Sequence, residues 1–253
     1  MKNYFAIVFA SVLLAACAGA QVRDYSVKVV AKTPHDVNSY TQGLFFQDGQ
    51  MYESTGQYGK STFRAVDIQN GNALRRLDFG DEYFVEGSVM LNGKLYILTW
   101  QEHYAFVYNA ETLEYEKAWK YPREGWGLTT DGRRLIASDG SNVLYFMDET
   151  FNVSKKIYVT LEGRPVRWLN ELEWIDGKIW ANVYTTDTIV IINPKDGNVE
   201  GLVDCKGLLD RKDITADTDV LNGIAFNKKT GQIYVTGKNW PYLYEIELVE
   251  KNK

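Results

Sequence analysis

The stretch YFVEGSVML, Tyr83 to Leu91, has the composition of a buried strand except at Glu86, a carboxylate directly before a glycine. The segments LFFQDGQMYESTG, SVMLNGKLYILTW, LTTDGRRLIASDG, LEWIDGKIWANVY and IAFNKKTGQIYVTGK share one layout: a strand, an Asp-Gly, Asn-Gly or Thr-Gly turn, and a second strand. Aligned on that layout, the residue just before each first strand is Gln42, Glu86, Trp126, Asn170 or Asn222. The residue closing each second strand is Gly56, Trp100, Gly140, Tyr184 or Lys238, fourteen positions on in four units and sixteen in the last. The two sets hold one carboxylate, one ammonium, three carboxamides and three large aromatics. Burying that many polar groups in a core would be costly, so the set reads as the lining of a polar pocket, with Glu86 as its one acid.

Something must bring residues so far apart in sequence to one place. Each hairpin is followed by a third and fourth strand-like run, such as FRAVDIQNG and ALRRLDFG, and no stretch sustains a helical period. Repeats of about 40–50 residues with four strands each suggest propeller blades. The expectation is an all-β, five-bladed β-propeller of four-stranded antiparallel blades. The early run Tyr25 to Thr33 completes the last blade, which ends at Tyr242 to Leu248, and closes the ring. In such a fold the first strand of every blade lines the channel, so both sets converge on one mouth.

Composition narrows the classes. The chain has 17 Tyr, 11 Phe and 7 Trp, enough for a sizeable core, and its net charge of -5 gives no basic face for nucleic acid. Residues 1–20 read as a signal peptide, with Lys2 before an apolar run and small residues after it. Two processing routes compete: LAAC, ending at Cys17, resembles a lipobox, and AGA before Gln21 suits ordinary signal peptidase. Either way the protein is expected to be exported, periplasmic or secreted; the first route would add a lipid at Cys17 as the one membrane anchor, and the second, slightly favoured by the short tether, would release a soluble protein. Residues 21–253 then form a single domain, expected as a monomer. Cys205 lies in an alternating strand-like run and reads as a small core residue. His35 and His103 are the only histidines, too few for a His-based zinc site. A structural calcium held by oxygens in the channel stays open. Glu86, Asn170 and Asn222 also suit the oxygen ligands of a calcium-dependent propeller lactonase, and an exported peptide- or glycan-binding propeller is a non-catalytic alternative. Gln42, Asn170 and Asn222 fit turn-formers as well. Glu171, where the other four units have glycine, reads as a structural hydrogen-bonding group.

The motifs YTQGL, YESTGQYGKSTFR, LTWQ, EGWGLTTDGRRLIASDGS, LNELEWIDGKIWANVY, LNGIAF and VTGKNWPYLYEIEL resemble, in order and from about Tyr40 to Leu248, the plant-type glutaminyl-peptide cyclotransferases, a family with bacterial members. The resemblance implies an enzyme that converts an N-terminal glutamine of a peptide or protein to pyroglutamate, releases ammonia, requires no cofactor for catalysis, and folds as a five-bladed propeller. The family's catalytic glutamate, in F-x-E-G, falls on Glu86. Its tryptophans of LTW and GWG fall on Trp100 and Trp126, its LNELE asparagine on Asn170, its GK-x-WP lysine on Lys238 and its TQG glutamine on Gln42. Two departures stand out: Val85 replaces a glycine before Glu86, and Tyr184 replaces a tryptophan, which bears on substrate preference. The reaction this implies is attack of the α-amine on the γ-carboxamide carbon, with Glu86 moving the proton. Lys238 and Asn170 would stabilise the oxyanion, and Gln42, Asn222, Trp100, Trp126 and Tyr184 would bind the substrate.

Overall fold

Tight turns set the strands of this protein. In the computed structural model, Asp48-Gly49, Asn92-Gly93 and Asp176-Gly177 each take positive φ at both positions, the backbone of a two-residue hairpin whose twist matches its strands. The structure describes residues 21–251; the expected signal peptide, with Cys17, lies outside them. No α-helix forms among the described residues, and none is long and apolar enough to cross a membrane.

After β1 (Arg23–Pro34), the first unit is β2 (Thr41–Gln47), β3 (Gln50–Thr55), β4 (Thr62–Val66) and β5 (Ala73–Asp78). The second is β6 (Val85–Leu91), β7 (Lys94–Thr99), β8 (Tyr104–Asn109) and β9 (Tyr115–Lys120). The third is β10 (Leu128–Thr130), β11 (Leu135–Ala137), β12 (Val143–Met147) and β13 (Val153–Tyr158), followed by a small hairpin, β14 (Thr160–Leu161) and β15 (Arg164–Pro165). The fourth is β16 (Leu169–Ile175), β17 (Lys178–Val183), β18 (Thr188–Ile192) and β19 (Val199–Asp204). The last is β20 (Leu221–Asn227), β21 (Gln232–Gly237) and β22 (Tyr242–Glu250). The first three units are four-stranded antiparallel sheets paired in chain order. β1 lies outside β22, antiparallel with Val27 opposite Leu248, and its first residues also run parallel to β19. That contact joins the last two units into one eight-stranded sheet. The sixteen-residue spacing of the last unit has a simple cause: its β20–β21 turn holds four residues between Asn227 and Gln232, where β2–β3 holds two.

The inner strands are buried along most of their length, and successive units pack through five apolar clusters. Phe63 and Ile97 share the cluster between the first two units, Tyr96 and Leu135 the next, and Phe146 and Ile179 the third. Trp180 and Val235 share the fourth. The fifth joins Leu44 and Met51 of the first unit to Tyr234 and Leu243 of the last. Cys205 is buried in the fourth cluster, and burial pushes its thiol up to about 12, so it serves as core.

One local expectation needs correction. Gln42, Glu86, Asn170 and Asn222 do not precede the first strands; each is the second residue of its strand, at a break in register with the neighbouring strand. Trp126 alone precedes its strand, by two residues. A bulge leaves a residue out of the ladder and re-aims its side chain, which is how a polar group leaves the core face of an apolar strand. Glycine follows in four units. At Gly43, Gly87 and Gly127 the backbone of the next unit is close: a Cβ on Gly87 would lie 2.5 Å from the Trp126 carbonyl oxygen, and the Gly87 amide donates to that oxygen at 2.7 Å. Gly223 instead takes φ 122.

Candidate active site

The bulged residues gather at one mouth. A cavity of about 380 Å³ is lined by Tyr40, Gln42, Phe84, Glu86, Trp100, Trp126, Trp168, Asn170, Tyr184 and Lys238. That is near the lower end of the ~300–1,000 Å³ usual for small-molecule sites. Seven of the eight expected residues are brought together here. A groove of about 780 Å³ beside β1 and β19 is larger, but its charged residues, such as Arg23, Lys178 and Glu250, are exposed or half-exposed surface groups.

The floor is polar and buried. Glu86 is 5 % exposed, and its Oε1 accepts a hydrogen bond from Gln42 Nε2 at 3.2 Å. Burial drives its carboxyl pKa well above the ordinary value; Lys238 pulls it down, while Glu102 and Glu124 push it further up. Lys238 is also buried, and loss of water lowers its pKa against the pull of Glu86 and Asp219. Its Nζ sits 4.6 Å from the Tyr40 ring centre and 5.1 Å from that of Tyr184, a cation held between two aromatic faces. Asn170 is buried, and its Oδ1 has no partner. Its main-chain carbonyl is held by Ser138 Oγ at 2.8 Å, so the backbone is fixed while the carboxamide remains unengaged. Asn222 is the exception among the expected binding residues. It is fully buried outside the lining, and its Nδ2 donates to the Thr41 carbonyl at 2.9 Å and to Gln42 Oε1 at 3.4 Å. It supports Gln42 from behind.

The walls are aromatic and nearly continuous. Tyr40 meets Phe84 edge-on at 6.2 Å, Phe84 meets Trp100 at 5.5 Å, and Trp126 meets Tyr184 at 5.6 Å. Glu124 fills the gap between the tryptophans. Its Oε2 accepts the indole N–H of Trp100 at 3.0 Å and that of Trp126 at 3.1 Å. Gly140 leaves room for this wall, since a Cβ there would lie 2.7 Å from Trp126 Cζ2.

Tyr40, Phe84, Glu124 and Trp168 were not among the expected residues, yet a signal for them exists. Each stands two positions before a member of the inner set, where strand alternation returns a side chain to the same side. Backbone pairing supports the equivalence for Tyr40, Phe84 and Trp168, whose carbonyls accept the amides of Gly56, Trp100 and Tyr184 at 2.8–2.9 Å, as the Val220 carbonyl accepts that of Lys238 at 2.9 Å. Glu171 behaves as expected of a structural group. Its carboxylate accepts the amides of Leu44 at 3.2 Å and Ile224 at 2.8 Å, on the first and last units. Among the described residues no three His, Cys, Asp or Glu side chains group as a metal would require.

Chemically, the cavity offers one buried carboxyl group able to exchange a proton, one ammonium, free carboxamide capacity and flat walls. A family model described as glutamine cyclotransferase matches residues 4–248. A glutaminyl-peptide cyclotransferase of Arabidopsis thaliana is 42% identical over 231 residues, 88% of this chain and 71% of that protein. The crystal structure of Myxococcus xanthus glutaminyl cyclase superposes with a TM-score of 0.85 at 32% identity, covering 92% of this chain and 100% of the other. With that match spanning nearly its whole length, the chain belongs to the glutamine cyclotransferase family.

Proposed function

We propose that this protein cyclises the N-terminal glutamine of peptides or proteins to pyroglutamate with release of ammonia, and that its five units are propeller blades around the axis that carries the cavity. The propeller reading is supported by the cycle of apolar clusters, the fifth of which joins the last unit to the first, and by β1 lying outside β22. Residues 1–20 direct export in this reading. The observation that carries the chemistry is Glu86, the one acid in the lining, buried, with its pKa raised by loss of water.

The substrate's α-amine, with a pKa of about 7.7–8.0, attacks the γ-carboxamide carbon of its own residue. Its side chain must be folded back, a problem of proximity that flat walls suit. As the new C–N bond forms, the carbonyl electron pair moves to oxygen, and the amine gives its proton to the Glu86 carboxylate. Lys238 and the Nδ2 of Asn170 donate to the oxyanion. When the carbonyl re-forms, the bond to the leaving nitrogen breaks and Glu86 returns the proton to it, so that ammonia departs. A buried carboxyl whose pKa is raised by loss of water gives up a bound proton less readily than a free one, and so can carry it from the amine to the leaving nitrogen. Gln42 fixes the Glu86 oxygen, and Asn222 fixes Gln42.

The test is mass-spectrometric loss of one ammonia from a Gln-initiated peptide, measured for the native chain and for Glu86→Gln. Loss of general acid–base help should lower turnover by about 10²–10⁴ with the circular dichroism unchanged. A Glu86→Gln protein with native turnover would remove Glu86 from this role.

A further inference from the structure

Depth in the cavity follows a gradient. Gln42, Glu86, Asn170 and Lys238 are buried at the floor, Tyr40, Phe84, Trp100, Trp126 and Tyr184 are half-buried in the walls, and Trp168 alone is exposed, at 56 %. An exposed indole gains little from packing, yet this one is held in place at some cost. Trp168 adopts φ 65, the left-handed region that is uncommon for a bulky side chain and costs roughly 1–3 kcal/mol. Its backbone is pinned on both sides: its amide donates to the Gly140 carbonyl at 2.8 Å, and its carbonyl accepts from the Tyr184 amide at 2.8 Å. The β14–β15 hairpin, which has no counterpart in the other units, delivers it to the rim. Its ring tilts at 38° over Trp126, with centres 6.3 Å apart, so the indole extends the cavity wall outward.

We propose that Trp168 forms an aromatic subsite for the side chain of the residue following the N-terminal glutamine, favouring an aromatic or large apolar side chain there. The inference rests on the cyclisation reading. With the glutamine side chain and amine directed to Glu86 on the floor, the rest of the peptide must leave through the mouth. Its second residue then passes the one lining side chain with an open face. Trp168 touches no reacting atom in this arrangement and selects among substrates by contact with the next residue.

The experiment compares glutamine amide, Gln-Gly amide and Gln-Phe amide as substrates for the native chain, Trp168→Ala and Trp168→Asn. Asparagine tolerates the left-handed backbone, so that variant removes the ring and keeps the conformation. The native chain should favour Gln-Phe amide over Gln-Gly amide in kcat/KM. Both variants should lose roughly ten-fold on Gln-Phe amide, the scale of one good aromatic contact, and stay within about two-fold of native on the other two. An equal loss on all three substrates, or a native chain indifferent to the second residue, overturns the subsite alone. A native chain that cyclises none of the three overturns the cyclisation reading, and the subsite with it.

Discussion

Two indoles hang from one oxygen of Glu124, and that side chain couples the walls of the cavity to its floor. Hydrogen bonds to a charged group are worth about 1.5–3 kcal/mol, enough to hold Trp100 and Trp126 in one geometry. The same charge raises the Glu86 pKa. Glu124→Gln should therefore do two things at once. KM for a Gln-peptide should rise by roughly ten-fold, equivalent to about 1.4 kcal/mol of binding, with a shift in tryptophan fluorescence as the indoles lose their anchor. The acid limb of kcat/KM, set by ionisation of Glu86, should also move to lower pH, because a repelling charge is gone. A purely structural role would leave that limb in place.

At the scale of elements, the bulges place the chemistry and the segment leading into β2 anchors the first of them. His35 lies just ahead of β2 and is buried, with Nδ1 2.7 Å from the Trp240 carbonyl and Nε2 2.9 Å from Glu53. Glu53 also accepts from Thr41 at 2.6 Å and pairs with Arg64, which in turn holds Asp36 at 2.7 Å. Both ring nitrogens of His35 face acceptors, which suits the imidazolium. Burial works against that charge, but Glu53 outweighs it and the His35 pKa is raised. Glu53 itself is pulled down to about 2 by His35 and Arg64 in spite of its burial. The signs give a window. The His35 contribution is complete below the ordinary value of 6.5 and is lost as pH rises through the higher folded value. The Glu53 contribution is complete above 4.5 and is lost as pH falls toward 2. Thermal melts should show His35→Gln flattening the fall in Tm on the alkaline side. Glu53→Gln, which leaves two buried cations without their carboxylate, should cost about 3–5 kcal/mol.

Across the whole molecule, Glu171 acts as a tie. From β16 it accepts amides of β2 and β20, so one side chain connects the fourth unit to the first and the last. Its neighbour Glu173 accepts the Phe226 amide at 2.9 Å, also on β20, and burial raises its pKa to about 8. Replacing Glu171 by alanine would leave two buried amides without acceptors, at about 1–3 kcal/mol each. For a domain of this size, each kcal/mol lowers Tm by about 2–4 °C. Glu171→Ala should therefore lower Tm by roughly 4–24 °C, with chemical denaturation remaining a single transition; a melt within a degree of native would refute the tie.

Much of this was legible from the chain. Strand alternation and Asp-Gly or Asn-Gly turns fix the hairpins locally, because a two-residue turn of that backbone admits few other residues, and the common spacing from Gln42 to Lys238 marked seven of the ten cavity residues. What stayed hidden depends on contacts between units. Spacing cannot show that Asn222 turns behind Gln42, that Glu124 spans two indoles, or that Trp168 stands at the rim, since each outcome depends on which neighbour lies within hydrogen-bonding or packing reach. The raised pKa of Glu86 belongs to the same class: its type and position are written in the sequence, but the removal of water that changes its chemistry exists only once the bulged strands close around it.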